Sequence, residues 1–207
     1  MTHIILASSS PRRKELLAQV NIPFIVHAAN TDETIAPGTH PAQAVEQLAL
    51  RKAEAVLAAY PDKVVIGADT VVAVGDRILG KPETEQEAMD MLCMLSGRHH
   101  AVYTGVAILS RNEKVVFHEK TDVEFWELTK AEIAAYIKTG DPFDKAGSYG
   151  IQTAGALFVK AIHGDYFNVV GLPVSSLHRR LNQSGLLEDG PGRAGPRLKE
   201  GKNPNDP

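Results

Sequence analysis

Cysteine is almost absent from this chain of 207 residues, which contains a single one, Cys93. One cysteine cannot form a disulfide within the chain, so the fold does not depend on the cross-links that stabilise many small secreted domains. Apolar residues around Cys93 follow a helical pattern, and we interpret it as a buried structural thiol in preference to a nucleophile. A reducing compartment fits this composition, and we expect a cytoplasmic protein.

Long apolar segments and an excess of positive charge are also lacking. The apolar run at residues 4–7 is too short for the apolar region of a signal peptide, and no run approaches the roughly 18 residues of a membrane span. The 22 Lys and Arg residues are outnumbered by 25 Asp and Glu residues, whereas proteins that coat nucleic acid need a broad basic surface. We therefore predict no membrane and no nucleic-acid partner.

The sequence does contain a regular alternation of strand and helix patterns, with 43% hydrophobic residues. This alternation predicts one α/β domain over residues 1–187, with helices packed against a mixed sheet. Residues 188–207 hold four of the twelve prolines and four of the seventeen glycines. Such a composition cannot bury a core, and we predict a flexible C-terminal tail there.

The individual elements follow from apolar periodicity and capping residues. Strands are predicted at residues 4–7, 23–28, 64–68, 99–109, 115–128 and 155–162, with a hairpin over 70–79 that leaves the third strand. Helices are predicted to start at Pro11 after the N-cap Ser10, to cover 41–59 and 173–184, and to follow the capping residues Thr84 and Thr129, ending near Gly97 and Gly140.

The loop Ser8–Arg13 combines small hydroxyl side chains with two arginines at the start of a predicted helix. Backbone N–H groups and the helix dipole attract anions there, whereas cations in a first turn oppose the dipole unless an anionic ligand is present. We favour a phosphate site. The alternative is a simple helix start with solvated Arg12 and Arg13.

Lys52 lies in the middle of the apolar face of the helix predicted over 41–59. An ammonium on that face points inward and needs either an acidic partner or a bound anion. A lysine whose stem covers the rim of the core is the alternative.

Acidic residues follow two of the predicted strands. Asp69 is predicted to lie at the end of the buried strand 64–68, where α/β folds place their ligands, although Asp also suits a turn before a hairpin. Glu33 and Asp32 could supply further oxygen ligands for a divalent cation, or lie on a surface loop. Two glycine-containing loops, 80–82 and 144–152, each carry a lysine, and ordinary turns are the alternative for either loop.

Taken together, these motifs closely resemble the Maf family of nucleotide pyrophosphatases over roughly residues 4–181. The matching residues are Ser8-x-Ser10-Pro11-Arg12-Arg13, Glu33, Lys52, Gly67-Ala68-Asp69-Thr70, Gly80-Lys81-Pro82, Asp144-Lys145-Ala146-Gly147 and Gly171-Leu172-Pro173. The resemblance implies the inosine-triphosphatase-like fold, in which an elongated mixed sheet flanked by helices forms two lobes around a central cleft. It also implies a homodimer.

Within the family, the branch that acts on dTTP and UTP resembles this chain at Arg12, Thr70 and Gln152, which would select the substrate. The branch similar to 7-methyl-GTP pyrophosphatases has an aromatic residue and Gln in place of Arg12 and Thr70. Family members often have glycine after the glutamine, whereas this chain has Thr153, which could shift the loop that meets the base.

The expected activity is hydrolysis of a nucleoside triphosphate to the monophosphate and pyrophosphate, which requires magnesium or manganese. Asp69 is expected to activate water and to bind the metal with Glu33. The residues expected to bind phosphate are Ser8, Ser10, Arg13, Lys52, Lys81 and Lys145. A non-catalytic nucleotide-binding regulator of septum formation is the alternative function.

Overall fold

The computed structural model describes residues 4–28 and 30–187. Its seven strands are β1 Ile4–Ala7, β2 Phe24–Val26, β3 Val64–Val74, β4 Arg77–Leu79, β5 His99–Leu109, β6 Lys114–Phe125 and β7 Val159–His163. Its α-helices are α1 Pro11–Gln19, α2 Pro41–Ala59, α3 Glu85–Leu95, α4 Lys130–Ile137, α5 Tyr166–Val170 and α6 Val174–Gln183. Short 3₁₀ helices cover Asp141–Asp144, Ala146–Ser148 and Ala154–Phe158.

All seven strands join one mixed sheet in the order β2-β1-β3-β5-β6-β7, with β4 also paired to β3. The strand β1 runs parallel to β2 and β3, and the pairs β3–β5, β5–β6 and β6–β7 are antiparallel. This arrangement confirms the predicted mixed sheet.

Alternate strand residues face opposite sides of the sheet, as the two-residue period of a strand requires. On one face, Ile4 and Leu6 pack with residues of α1 and α6. On the other, Ile5 and Ala7 pack against α2. A separate core forms where the far half of β3 and the strands β5 and β6 meet α3 and α4. The two cores on either face of β1 belong to one predicted lobe, and the separate core belongs to the other.

The structure corrects the prediction that Asp69 ends a strand. Asp69 lies inside β3, which runs unbroken from Val64 to Val74. The reason is that β3 pairs with β5 from Val65 to Ala73, nearly the whole length of β3, and this pairing keeps β3 extended through Asp69. The predicted hairpin over 70–79 is therefore the far half of β3 followed by β4.

Four further predictions differ from the structure. The strand predicted over 115–128 ends at Phe125. Cys93 is exposed, because it lies on the face of α3 opposite the buried Ala88 and Leu92. The strand predicted over 155–162 begins only at Val159, after a 3₁₀ helix. The strand predicted over 23–28 is limited to Phe24–Val26.

Two remaining predictions concern the C-terminal tail and membrane-spanning segments. The predicted tail, 188–207, lies outside the described residues. In the described ranges, none of the helices combines the length and apolar character that a bilayer crossing needs.

Candidate functional site

A cleft opens where the sheet is incomplete along one side of β3. On that side β1 pairs with β3 as far as Gly67, and β4 pairs with it from Val72 onward. Residues 68–71 lie between these two pairings, and Asp69 and Thr70 line the opening. The cleft measures about 930 Å³, at the upper end of the range for small-ligand sites.

The cleft brings together all eleven residues to which the sequence analysis gave a role in the reaction, although the chain separates them by as many as 144 positions. They are Ser8, Ser10, Arg12, Arg13, Glu33, Lys52, Asp69, Thr70, Lys81, Lys145 and Gln152. Five of these eleven are cationic, so the cleft is suited to a polyanionic ligand. Asp32, the other possible oxygen ligand, is exposed and does not line the cleft.

The first turn of α1 places its two arginines differently. Arg13 is buried, and its Nε donates to the carbonyl oxygen of Gly171 at 2.8 Å. Its Nη1 donates to Oγ of Ser8 at 3.1 Å, and its Nη2 to Oγ1 of Thr70 at 3.0 Å. Burial lowers the pKa of Arg13, while the nearby carboxylate of Asp69 acts in the opposite direction. A guanidinium remains charged even so, which makes Arg13 a fixed positive charge in the wall of the cleft.

Arg12 instead crosses the mouth of the cleft. Its Nη1 forms an ion pair with Oδ2 of Asp144 at 2.7 Å, and its Nη2 donates to the carbonyl oxygen of Asp144 at 3.3 Å. Burial acts to raise the pKa of Asp144, but its contacts with Lys145 and Arg12 lower it overall. The Arg12 contact therefore joins α1 to the loop that carries Lys145 and Gln152.

Lys52 is the inward lysine that the apolar face of α2 predicted, and it has acidic partners. Its ammonium lies 2.5 Å from Oδ1 of Asp69 and 2.7 Å from Oε1 of Glu33. The hydrogen bond from Lys52 lowers the pKa of Glu33, and the charge of Lys81 acts in the same direction. The carboxylate of Glu33 therefore stays ionised next to this ammonium.

Glu33 and Asp69 present hard oxygen donors of the type that Mg²⁺ and Mn²⁺ bind. In the described part of the chain, no group of three or more His, Cys, Asp or Glu side chains could hold a metal by itself. Magnesium characteristically uses one or two carboxylates and completes its shell with water and substrate phosphates. The pair therefore fits a metal that binds together with a triphosphate.

Lys145 is also buried, and it lines the same cleft. Its ammonium donates to the carbonyl oxygen and Oδ1 of Asp141, at 2.8 and 2.9 Å, and to Oδ1 of Asp144 at 2.6 Å. The hydroxyl of Thr153 donates to Oδ2 of Asp141 at 2.5 Å. The residue at which this chain differs from the common family pattern thus fixes the loop through Asp141.

The two loops that carry lysines contact each other, since the backbone N–H of Gly147 donates to the carbonyl oxygen of Gly80 at 3.0 Å. Lys81 follows Gly80 directly and lines the same cleft.

A family model described as Maf-like protein matches residues 3–184. The chain belongs to the Maf family.

Relatives of this Maf chain match it over nearly their full length. A protein of Geobacillus sp. (strain WCH70) named dTTP/UTP pyrophosphatase is 59% identical over 185 residues, which cover 89% of this chain and 100% of the relative. A protein of Bacillus cytotoxicus (strain DSM 22905 / CIP 110041 / 391-98 / NVH 391-98) with the same name is 54% identical over 183 residues, which cover 88% of this chain and 96% of the relative.

The fold also matches that of a solved structure. The structure of the Staphylococcus aureus Ham1 protein superposes with a TM-score of 0.52 at 14% identity, and the match covers 88% of this chain and 100% of that one. The predicted fold, a mixed sheet flanked by helices with two lobes around a cleft, is confirmed.

Sequence reasoning missed several polar residues of this Maf site. Thr104 and Asn168 are completely buried behind Thr70, and neither stands out, because each lies within an apolar stretch. Asp144 was part of a recognised motif but received no role, since its partner Arg12 is 132 positions away. Contacts of such long range leave no local signal in a single sequence.

Proposed function

We propose that this chain is a nucleoside triphosphate pyrophosphatase that hydrolyses dTTP and UTP to the monophosphate and pyrophosphate. The observation that carries the proposal is the cleft beside the gap in the sheet. It holds the predicted arginines and lysines together with the carboxylates of Glu33 and Asp69. Relatives at 54–59% identity bear the name of this activity, and the chain covers their length almost completely.

In the proposed reaction, Asp69 acts as the general base. Lys52 contacts Oδ1 of Asp69, so Oδ2 is the oxygen assigned to take a proton from water. The water oxygen forms a bond to the α-phosphorus, and the bond from this phosphorus to the α–β bridging oxygen breaks. Pyrophosphate leaves with the electron pair of that bond.

The phosphate groups are assigned to the cationic side of the cleft. Arg13, with its fixed orientation, and Lys52 and Lys81 would offset the charge on the triphosphate and on the departing pyrophosphate. Ser8 and Ser10 would support them at the start of α1, where N–H groups attract anions. The assignment of Lys145 requires its ammonium to exchange at least one aspartate contact for a phosphate oxygen, because all of its three donors are engaged.

Base selection is assigned to Arg12, Thr70 and Gln152, which line the cleft on three different segments of the chain. Arg12 must release or share Asp144 to reach a nucleotide. Because the ion pair is partly exposed, with side chains 24% and 58% accessible, exchanging it costs little free energy.

Glu33 and Asp69 would hold a divalent cation, and magnesium or manganese is our proposal for its identity. When bound, the cation would supply charge stabilisation for the phosphate oxygens. We also propose a homodimer, which light scattering coupled to size-exclusion chromatography would test.

The decisive test is release of pyrophosphate from a panel of nucleoside triphosphates, with magnesium, with manganese and with chelator. We expect dTTP and UTP to be the best substrates and the chelator to abolish turnover. Nucleotide binding without turnover would contradict the proposed enzymatic activity and favour a non-catalytic nucleotide-binding regulator of septum formation. Preference for 7-methyl-GTP would contradict the specificity alone.

A further inference from the structure

A line of buried hydrogen bonds runs from Arg13 into the core behind the cleft. Three of the five N–H donors of the guanidinium bind protein oxygens, on Gly171, Ser8 and Thr70. Two donors therefore remain for a ligand, and their direction is set by these three contacts. The contact with Thr70 is the one that continues inward.

The direction of the next hydrogen bonds follows from proton counting. The hydroxyl oxygens of Thr70 and Thr104 lie 2.9 Å apart, and Oγ1 of Thr104 lies 2.9 Å from the carbonyl oxygen of Asn168. A carbonyl oxygen only accepts, so the single hydroxyl proton of Thr104 is donated to Asn168. The Thr70 hydroxyl has a second possible acceptor, the carbonyl oxygen of Gly171, but at 3.5 Å this contact is much longer. Thr70 therefore donates its proton to Thr104, because otherwise two hydroxyl oxygens would lie 2.9 Å apart with no proton between them.

The inner end of this chain is fixed by the core. Asn168 is completely buried, and its Nδ2 donates to the carbonyl oxygen of Val102 at 3.0 Å and to Oγ1 of Thr121 at 2.9 Å. The hydroxyl of Thr121 donates in turn to the carbonyl oxygen of Asp165 at 2.9 Å. Strands β5 and β6 therefore hold Asn168 from two sides, and α5 cannot turn without breaking these bonds.

We infer that Thr104 and Asn168 are positioning residues for phosphate binding, because they set the direction of the Thr70 hydroxyl and, through it, the orientation of Arg13. Hydrogen bonds in such a chain polarise one another in a buried environment. The Thr70 oxygen accepts from Arg13 and its proton is committed to Thr104, so it offers a ligand only an acceptor. Phosphate oxygens, which are also acceptors, are thus directed to the two remaining donors of Arg13. This inference rests on the proposed function, in which Arg13 binds the triphosphate.

A matched pair of variants at Thr104 tests the chain. Thr104→Val keeps the shape of the side chain but removes the hydroxyl, whereas Thr104→Ser keeps the hydroxyl. The probe is inorganic tripolyphosphate with magnesium, which carries the phosphates without base or sugar. Calorimetry should show about tenfold weaker binding to the Val variant, the loss of roughly one oriented hydrogen bond, and nearly wild-type binding to the Ser variant.

A merely structural role for Thr104 would lower the melting temperature but leave the affinity of the folded fraction unchanged. Tripolyphosphate affinity equal to wild type in folded Thr104→Val would therefore overturn the inference. If the Val variant does not fold, Thr104→Cys replaces it, because a thiol is a weak donor, and the same loss of affinity is expected.

The outcomes also separate this inference from the proposed function. Weaker tripolyphosphate binding to Thr104→Val, with no pyrophosphate release from dTTP or UTP by the wild type, would support the positioning role and contradict the proposed activity. Normal turnover by the wild type with unchanged tripolyphosphate binding by the variant would support the activity and contradict the positioning role.

Discussion

At the scale of single residues, the chemistry of the cleft depends on how Lys52 is partnered. Its side chain is 11% exposed and contacts Asp69 and Glu33, with side-chain exposures of 14% and 59%. A mostly buried ammonium needs such partners, because an isolated charge in a protein interior is strongly disfavoured. Two carboxylates beside one ammonium leave a net negative charge, which attracts a divalent cation. In the proposed function, the lysine would keep the acidic pair together until a metal and a triphosphate bind.

Replacing Asp69 by Asn tests its role as general base. The amide keeps the shape and can still accept a hydrogen bond from Lys52, but it cannot take a proton from water. We expect kcat for pyrophosphate release to fall about 100-fold or more, with a change in the free energy of unfolding of about 1 kcal/mol.

The control for this variant is Asp32→Asn. Asp32 is an exposed carboxylate whose Oδ1 accepts from the backbone N–H of Thr34 at 2.8 Å, a bond that an amide oxygen also makes. Turnover should stay close to wild type in the control. Normal turnover in Asp69→Asn would remove Asp69 from the mechanism.

At the scale of whole elements, two glycines allow α2 to lie directly on the sheet. A Cβ atom on Gly67 would lie 2.2 Å from the carbonyl oxygen of Ala49, and one on Gly105 would lie 2.3 Å from that of Val45. Gly105 is the register partner of Asp69 on β5. The close approach of helix and sheet thus occurs at the level of Asp69, which is what lets Lys52 on α2 reach it.

Gly67→Ala should therefore affect both stability and activity. The added methyl group meets backbone that cannot move independently, so α2 must shift outward, at a cost of about 1–3 kcal/mol or more in the free energy of unfolding. Denaturant unfolding would measure this cost. Turnover should fall as well, because Lys52 moves away from Asp69.

The stability control is Gly80→Ala. A Cβ atom there would have no neighbour within 4 Å and no strained backbone angle is involved. Equal unfolding free energies for the two alanine variants would refute the close-packing argument.

The loop that carries Gln152 is held by the adjacent residue, Thr153. The Thr153 hydroxyl lies 2.5 Å from Oδ2 of Asp141 and 3.0 Å from the carbonyl oxygen of Gly150. Thr153→Val removes both contacts, and we expect KM for dTTP and UTP to rise several-fold while the melting temperature changes by only a few degrees. Thr153→Ser should restore both KM values. If Val and Ser variants had the same KM, the hydroxyl would have no role in ordering this loop.

At the scale of the whole molecule, local patterns predicted elements better than they predicted contacts between elements. The bounds of α2 and the start of α1 at Pro11 follow from capping and apolar periodicity, and the structure has them. The position of Asp69 within β3 depends on pairing with β5, which lies more than thirty residues further along the chain. Nothing near Asp69 in the sequence indicates that pairing.

The same distinction applies to the cleft. Motifs with charged or glycine residues, such as Ser8–Arg13, can be recognised locally because their chemistry is unusual. The Thr104–Asn168 contact joins residues 64 positions apart, and a Thr or Asn within an apolar stretch looks like many others. The pattern around Cys93 correctly predicted a helix. It did not predict that Cys93 is exposed, because flanking apolar residues do not show which face of α3 is buried.

One buried residue should make the stability of the whole chain sensitive to mild acid. His100 is 3% exposed, and its Nε2 lies 2.8 Å from the hydroxyl of Tyr149. Burial lowers the pKa of His100 to about 4, from 6.5. Between these values the unfolded chain binds a proton that the folded chain does not, so the free energy of unfolding falls as the pH is lowered through this window.

Between pH 7 and pH 5 this linkage should remove about 2 kcal/mol from the free energy of unfolding, measured by urea denaturation at each pH. His100→Gln removes the titrating group and should flatten the dependence. His99→Gln, at the exposed neighbouring position, should keep it. Glu33 and Asp144, whose pKa values are lowered from 4.5 and 3.8, lose their contributions only at lower pH, so they do not account for this window. The same pH slope in His100→Gln and wild type would show that another group controls acid stability.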